Sequence, residues 1–441
     1  MAIQKLEITG FRSLKHVTWR PGPLNLLVGP NGGGKSNVLR CLELISTVAG
    51  GGLQDSIEQS GGVVPILWDR KARSIGWRLH FDLAKEGWTK IEDRMVYEFE
   101  LAQLRPQSSA YEIKKDTLGN WCKFDAKEAA SPYWIFNRDT KEAYFYDQQA
   151  GNLVPLEEEN SDNPDGYDAN ESLLAQIGDI RNRIPALTRR VIEDWNIHHD
   201  VHAQRGSAMR SPATTQYSKR LAPDGRNLAT VLHTLYTDDR EFRSQINNGM
   251  KAGFGSEFER IEIQPVSAGQ VQLAVQWNSS SSLHAGSDLS DGTLRFLFLL
   301  TVLCNPEPGA VIAVDEPEIG LNPSMLPIIA EYAAAAAERT QVILTSHSPE
   351  FLDAFSEMSP HVTLCHWEEG QTHLYPLEPD ALAEWLERYR LGQLFTQGEL
   401  ETLAQSPVDK LDDFEARFKD LPSEDDALSQ LPDHPGESVD G

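Results

Sequence analysis

The chain has 441 residues, 40% of them hydrophobic and 24% charged, with a formal net charge of −26. That length allows one large core with insertions or two domains, and the acidity excludes a general nucleic-acid-coating protein, since such binding is mostly phosphate neutralisation by Lys and Arg. The longest strongly apolar run, Phe296 to Cys304, is far short of a bilayer span, and the four scattered cysteines form no C-x-x-C pair, which fits a reducing cytoplasm rather than a disulfide or zinc framework.

In chain order, Met1 to Lys5 enters a strand pattern directly, without a signal-peptide layout, and Ile3 to Ile8 reads as a first strand. Phe11-Arg12-Ser13-Leu14 reads as a turn and Val17 to Trp19 as a second strand. Leu24 to Val28 is a buried-strand pattern that runs into Gly29-Pro30-Asn31-Gly32-Gly33-Gly34-Lys35-Ser36, followed by Asn37 and a helical pattern with Val38, Leu39, Leu42 and Ile45 on one face. This fits G-x-x-x-x-G-K-[ST] between a strand and a helix, the context a phosphate-binding loop needs. Glycines let backbone N–H groups approach a triphosphate, and the helix aims its positive end at it. Lys35 can reach the β- and γ-phosphates, and the Ser36 hydroxyl can ligate Mg²⁺. Gly50 to Gly62 reads as a Gly-rich linking segment holding Gln54 and Gln59.

Ile75–Leu83 and Met95–Leu101 alternate as antiparallel strands do, strand-like pieces continue over Tyr111–Val154, and Glu157–Glu171 reads as an acidic exposed loop. Ile180–Asn196 looks helical. Arg181–Arg226 carries nine Lys or Arg against four Asp or Glu, with His198, His199 and His202 inside it; nothing around these histidines forms a metal-ligand motif. Asn227 is placed to cap a helix bearing Leu228, Val231, Leu232 and Leu235. Phe258–Ile263 and Val271–Trp277 read as strands.

Leu289-Ser290-Asp291-Gly292-Thr293 precedes an apolar helix, Leu294–Leu303, with Ser290 or Asp291 as its cap. Val311–Val314 is a buried strand that delivers Asp315-Glu316 at its C-terminal end, where open α/β sheets bind ligands. There Asp315 can hold the Mg²⁺ shell and Glu316 can polarise the attacking water. Gln341–Leu344 is another buried strand, ending in Thr345-Ser346-His347-Ser348, where an imidazole can meet the γ-phosphate. Leu382, Trp385, Leu386 and Tyr389 share one face of a later helix, and Asp409–Gly441 reads as an acidic tail with eleven acidic against three basic residues.

This order of phosphate loop, L-S-D-G-T, strand with Asp-Glu, and T-S-H resembles the ABC-type ATPase heads of the SMC, Rad-fifty, RecF and OLD group, and most closely its RecF- and OLD-like predicted ATPases. The resemblance implies an α/β fold: an ABC-type P-loop ATPase head with a mixed sheet, an antiparallel β lobe and a helical lobe. It implies ATP and Mg²⁺ as ligands, and a homodimer in which two heads sandwich the nucleotides. Ser290 and Gly292 match the family loop that contacts the opposite subunit's nucleotide, with Asp291 in place of a glycine. Asp315, Glu316 and His347 match the magnesium, base and switch residues, and Arg12 resembles an arginine near the nucleotide. Glu318-Ile319-Gly320-Leu321-Asn322-Pro323 occupies the subunit-contact loop, and either Gln54 or Gln59 matches the nucleotide-contacting glutamine. The expected division is an N-terminal lobe over 1–101, a β extension over 102–180, a helical lobe over 181–377 and a C-terminal extension over 378–441. No sustained heptads mark a long coiled-coil arm, and the stretch beyond the head is too short for a Toprim nuclease. Two outputs stay open: DNA repair or genome maintenance with Arg181–Arg226 facing DNA, or a phage-defence or toxin system in which the ATPase controls a separate effector protein. A transporter subunit and a non-hydrolysing scaffold are the weaker readings.

Overall fold

The computed structural model describes residues 2–82, 94–106, 108–121, 133–140, 142–147, 151–158, 166–177, 183–267 and 269–404. In its first half the strands are β1 (Ala2–Phe11), β2 (Leu14–Trp19) and β3 (Leu24–Val28), then β4 (Ser74–Asp82), β5 (Arg94–Gln103), β6 (Tyr111–Trp121), β7 (Tyr133–Asp139), β8 (Ala143–Asp147) and β9 (Asn152–Leu156). The helices there are α1 (Lys35–Ala49), α2 (Leu53–Gln59), α3 (Leu173–Ile177) and α4 (Arg183–Glu193). The second half holds β10 (Asn196–His198), β11 (Ala213–Thr214), α5 (Leu228–Asp238), α6 (Arg240–Phe254), β12 (Phe258–Ser267), β13 (Gln270–Trp277), β14 (His284–Ala285), α7 (Asp291–Leu303), β15 (Val311–Val314), α8 (Leu326–Ala337), β16 (Gln341–Ser346) and α9 (Pro349–Asp353). It closes with β17 (His361–Glu368), β18 (Gln371–Pro376), α10 (Pro379–Leu386), α11 (Leu391–Thr396) and α12 (Glu399–Ala404).

Period-two alternation builds the first layer. The antiparallel sheet runs β2-β1-β4-β5-β6-β7-β8-β9, with every second residue of β4 buried, from Ile75 through Trp77 and Leu79 to Phe81. The boundary expected after residue 101 lies within this sheet. It falls inside β5, which pairs with β4 on one side and β6 on the other, so one sheet continues through it.

The central sheet has the order β10-β15-β16-β3-β17-β18. Its first five strands are parallel, and β18 is the antiparallel edge. Strands β3, β15 and β16 are buried at every residue, as parallel strands covered on both faces must be. Side-chain alternation splits two cores across this sheet. Leu27, Val311, Ala313 and Ile343 pack with α1 and the antiparallel sheet, whereas Leu24, Leu26, Val28, Ile312, Val314, Val342 and Leu344 pack with α5 to α9. Helix α7 is apolar on almost every side, and Phe296 to Leu300 are buried accordingly.

Several local expectations change. Gly50–Gly62 is not only a linker, because Leu53–Gln59 forms α2. Asn227 stands at the start of α5, but its side chain accepts from Ala222 N at 2.7 Å and donates to Arg220 O at 2.8 Å instead of capping. The ends of the acidic Glu157–Glu171 loop are packed: Tyr167 is buried and Glu171 accepts from the Leu53 and Gln54 N–H groups. Residues 159–165 of that loop and the tail from Asp409 lie outside the described residues. On α10, Leu382 joins the core while Tyr389, beyond the helix, packs on Trp385 at 5.8 Å. Among the described residues, no helix is long and apolar enough to cross a membrane.

Candidate nucleotide site

The parallel registers bring three strand ends level. Val314 pairs with Leu344, and Ser346 pairs with Val28. The chain leaving β3 is the glycine loop, that leaving β15 is Asp315-Glu316, and that leaving β16 is His347, so all three emerge at one edge of the sheet. Gly29 N donates to Ser346 O at 3.4 Å, which joins the loop to the neighbouring strand directly.

In the loop, Lys35 is 4% exposed and its Nζ donates to Gly29 O at 2.8 Å and Pro30 O at 3.1 Å. The ammonium is held within the ring of the loop. Gly34 has φ +96°, and a Cβ there would lie 2.0 Å from Thr372 Oγ1, so both backbone conformation and space demand glycine. Helix α1 starts at Lys35 without a side-chain cap, and the Asn37 N–H returns to Gly34 O at 3.0 Å, which leaves the N–H groups ahead of it for another acceptor. Beside Gly32 the loop is open: a Cβ there would meet nothing within 4 Å. An uncapped helix start behind an open glycine loop fits a phosphate chain, and the Ser36 hydroxyl and Asp315 carboxylate are hard oxygen donors that suit Mg²⁺. The Asn37 side chain donates to Ser13 Oγ at 2.8 Å. Ser13 Oγ also accepts from Thr372 Oγ1 at 2.8 Å, tying the β1–β2 turn, α1 and β18 together.

The acidic pair is positioned from three sides. Thr345, fully buried, donates through Oγ1 to the Asp315 carboxylate and accepts from Glu316 N at 2.9 Å. Glu316 has φ +44°, an uncommon left-handed conformation for a non-glycine residue. Its Oε1 lies 2.9 Å from His347 Nδ1. Glu318 accepts from Ser346 Oγ at 2.6 Å, and its other oxygen is buried without a partner. Burial raises the Glu318 carboxyl above the usual range, against the Ser346 hydrogen bond.

Ser290 caps α7, accepting from Thr293 N at 3.0 Å. Gly292 packs against the contact loop, where a Cβ would lie 2.6 Å from Gly320 O. Because α1 belongs to the core on one face of the central sheet and α7 to the core on the other, Ser290 and Gly292 are not on the phosphate-loop side of the sheet. Asp291 pairs with Arg210, which is 7% exposed and also donates to Ala203 O at 2.8 Å and Leu289 O at 2.7 Å. Sequence reasoning singled out neither Thr345 nor Arg210 for a role. The T of T-S-H was a readable signal for the first, but nothing local marks an arginine whose partner lies far along the chain.

Arg12, with φ +49°, donates its backbone N–H to Ile66 O at 2.8 Å and lines a cavity of about 420 Å³ with Arg40, Glu43, Gln59 and His199. Burial and then Arg40 lower its pKa. Of the two candidate glutamines, Gln59 shares this cavity, while Gln54 bonds Glu58 at 3.1 Å along α2. The histidines disperse: His198 is buried against Pro223 O at 3.0 Å, His199 Nε2 meets Glu43 at 2.5 Å and His202 meets Asp200 at 2.8 Å. Among the described residues no three ligating side chains form a metal cluster. Of the nine basic residues in that stretch, Arg189 pairs with Glu193, Arg210 with Asp291, Lys219 with Glu307 and Arg220 with Asp194.

A family model described as "AAA domain, putative AbiEii toxin, Type IV TA system" matches residues 24–353. No curated protein matches the sequence. Among solved structures, the SMC head bound to the C-winged helix domain of ScpA is similar with a TM-score of 0.53 at 13% identity, over 87% of this chain and 100% of that one. The SMC head domain from Thermotoga maritima gives 0.44 at 13% identity over 86% and 100%. The Pyrococcus furiosus SMC head with an extended coiled coil, bound to the C-terminal domain of ScpA, gives 0.48 at 11% over 88% and 98%. The first of these similarities shows the fold, that of an ABC-type ATPase head.

Proposed function

Given that the chain belongs to the AAA-domain family described by that matching model, we propose that it is a Mg²⁺-dependent ATPase whose heads dimerise around ATP and part after hydrolysis. One observation carries the reading. The phosphate loop, Asp315, Glu316 and His347 share one sheet edge, while Ser290 and Gly292 belong to the opposite face. A signature loop so placed suits the nucleotide of a second copy better than its own.

In this reading residues 29–37 cradle the triphosphate, with Lys35 on the β- and γ-phosphates and Arg12 beside the nucleotide. Ser36 and Asp315 would hold Mg²⁺, which when bound neutralises charge on the phosphate oxygens. Glu316 takes the proton of the attacking water, the γ-phosphoryl passes to that water, and ADP leaves with its β-phosphate oxygen. Lys35 and His347 stabilise the charge that develops. The second head's Ser290 and Gly292 close over the γ-phosphate, so its loss opens the dimer.

For the output, control of a separate effector in a toxin-type or phage-defence system has the better support. The family description names a toxin and a TA system, and three arginines of the basic stretch, Arg189, Arg210 and Arg220, are engaged by carboxylates. The RecF- and OLD-like resemblance keeps genome maintenance as the second reading. Light scattering with and without ATP tests the core of the proposal. Glu316→Gln is expected to accumulate as a dimer in ATP and Mg²⁺, and a variant that stays monomeric at saturation would overturn the sandwich.

A further inference from the structure

Helix α7 sends one side chain back to the acidic pair. Arg295, one turn into the helix, donates through Nη2 to Glu316 O at 2.8 Å and to Asp315 O at 3.5 Å, and through Nη1 to Val201 O at 2.9 Å. Its hydrogen bonds go to the backbone of the acidic pair and not to the Glu316 carboxylate. That backbone is unusual, since Glu316 is held at φ +44°. Such a conformation persists only where the surroundings over-determine it. The surroundings are Thr345 on the Glu316 N–H at 2.9 Å and Arg295 on the Glu316 carbonyl. The Ile319 N–H, at 3.2 Å from the same carbonyl, begins the turn into the contact loop.

We infer that Arg295 is a positioning residue for hydrolysis: its guanidinium clamps the left-handed backbone of Glu316 so that the carboxylate points to His347, and it joins that carboxylate to the helix that starts with Ser290 and Gly292. This rests on the reading of Glu316 as the base. Two features make the link stiff. Gly292 packs directly on Gly320, so the Ser290–Gly292 loop and the contact loop touch backbone to backbone. The planar fork of Arg295 reaches carbonyls on two separate segments, 201 and 315–316, through two different nitrogens held in one rigid plane. Burial also lowers its pKa, with Glu318, Asp315 and Glu316 opposing. The loop offered to a second head and the residue that activates water are therefore connected inside one head.

The test is steady-state ATP hydrolysis by full-length Arg295→Met and Arg295→Lys, alongside binding of a fluorescent ATP analogue. The expected result for Arg295→Met is analogue binding within about threefold of wild type with kcat at least tenfold lower, a split that general loosening would not give. Arg295→Lys is expected to recover part of kcat, since it can satisfy one carbonyl. Unchanged kcat in Arg295→Met would overturn the inference, as would parallel loss of binding and turnover in both variants, which would mark a purely structural residue. A wild-type protein that hydrolyses no ATP would instead remove the proposed function, and the inference with it.

Discussion

His347 Nδ1 lies 2.9 Å from Glu316 Oε1, across two neighbouring parallel strands. The imidazole leaves β16 one residue after its end and the carboxylate leaves β15 two residues after its own, so the contact is set by strand register rather than by loop flexibility. A hydrogen bond of this kind fixes the direction of the carboxylate that is proposed to receive the water proton.

Replacement of His347 with Ala should accordingly leave ATP binding nearly intact while slowing hydrolysis by about a hundredfold, the lower end of what an acid–base group contributes. Turnover assays paired with equilibrium binding would show this. Equal loss of both would mean that the ring supports the fold, not the reaction.

Lys35→Ala should abolish nucleotide binding and ATP-driven dimerisation together. The side chain is buried and bonded to the carbonyls of Gly29 and Pro30, so its loss removes both the phosphate contact and a brace of the loop. Binding of the fluorescent analogue at wild-type strength would count against the loop as the phosphate cradle.

Arg210 and Arg189 make a contrast within the basic stretch. Arg210 is buried and donates to several carbonyls, while its partner Asp291 is more than half exposed, so Arg210→Ala should cost about 1–3 kcal/mol, from buried carbonyls left without a donor. Arg189 forms a half-exposed i,i+4 pair with Glu193 at 2.9 Å, and Arg189→Ala should cost under about 1 kcal/mol. Urea unfolding of the two variants checks the order, and equal effects would contradict the burial argument.

A pH effect arises from Asp116, fully buried in β6, where burial raises its carboxyl to about 7 against the Leu173 N–H bond at 2.6 Å. Between about pH 4 and 7 the folded chain holds a proton that the unfolded chain has released. Stability from this group is thus full below about pH 4 and is lost as pH rises, at up to about 1.4 kcal/mol per unit. His80 and His198, which burial lowers to about 4, act oppositely and cost stability as pH falls below about 6.5. Asp116→Asn keeps an acceptor for Leu173 N and removes the first effect. Its stability relative to wild type should improve from about pH 4 to about pH 7 and then level off in urea titrations, and parallel profiles would refute the assignment.

Much of this protein was readable without coordinates, for a physical reason. A phosphate loop is local: the glycines, Lys35 and Ser36 are consecutive, and the strand and helix around them announce themselves by apolar periodicity. Asp315-Glu316 and His347 could likewise be placed because each follows a run of buried residues. Strand order and register, which align those three ends, come from pairing between segments far apart in sequence, and so do the bonds of Thr345 to the acidic pair, of Arg210 to Asp291 and of Arg295 to the Glu316 carbonyl. The continuity of the antiparallel sheet through residue 101 and the carboxylate pairs of the basic stretch are of the same kind. Composition and spacing therefore determined which chemical groups this chain possesses. Only tertiary structure decided which of them face one another, because a side chain's partner depends on how distant segments pack and not on its neighbours in the chain.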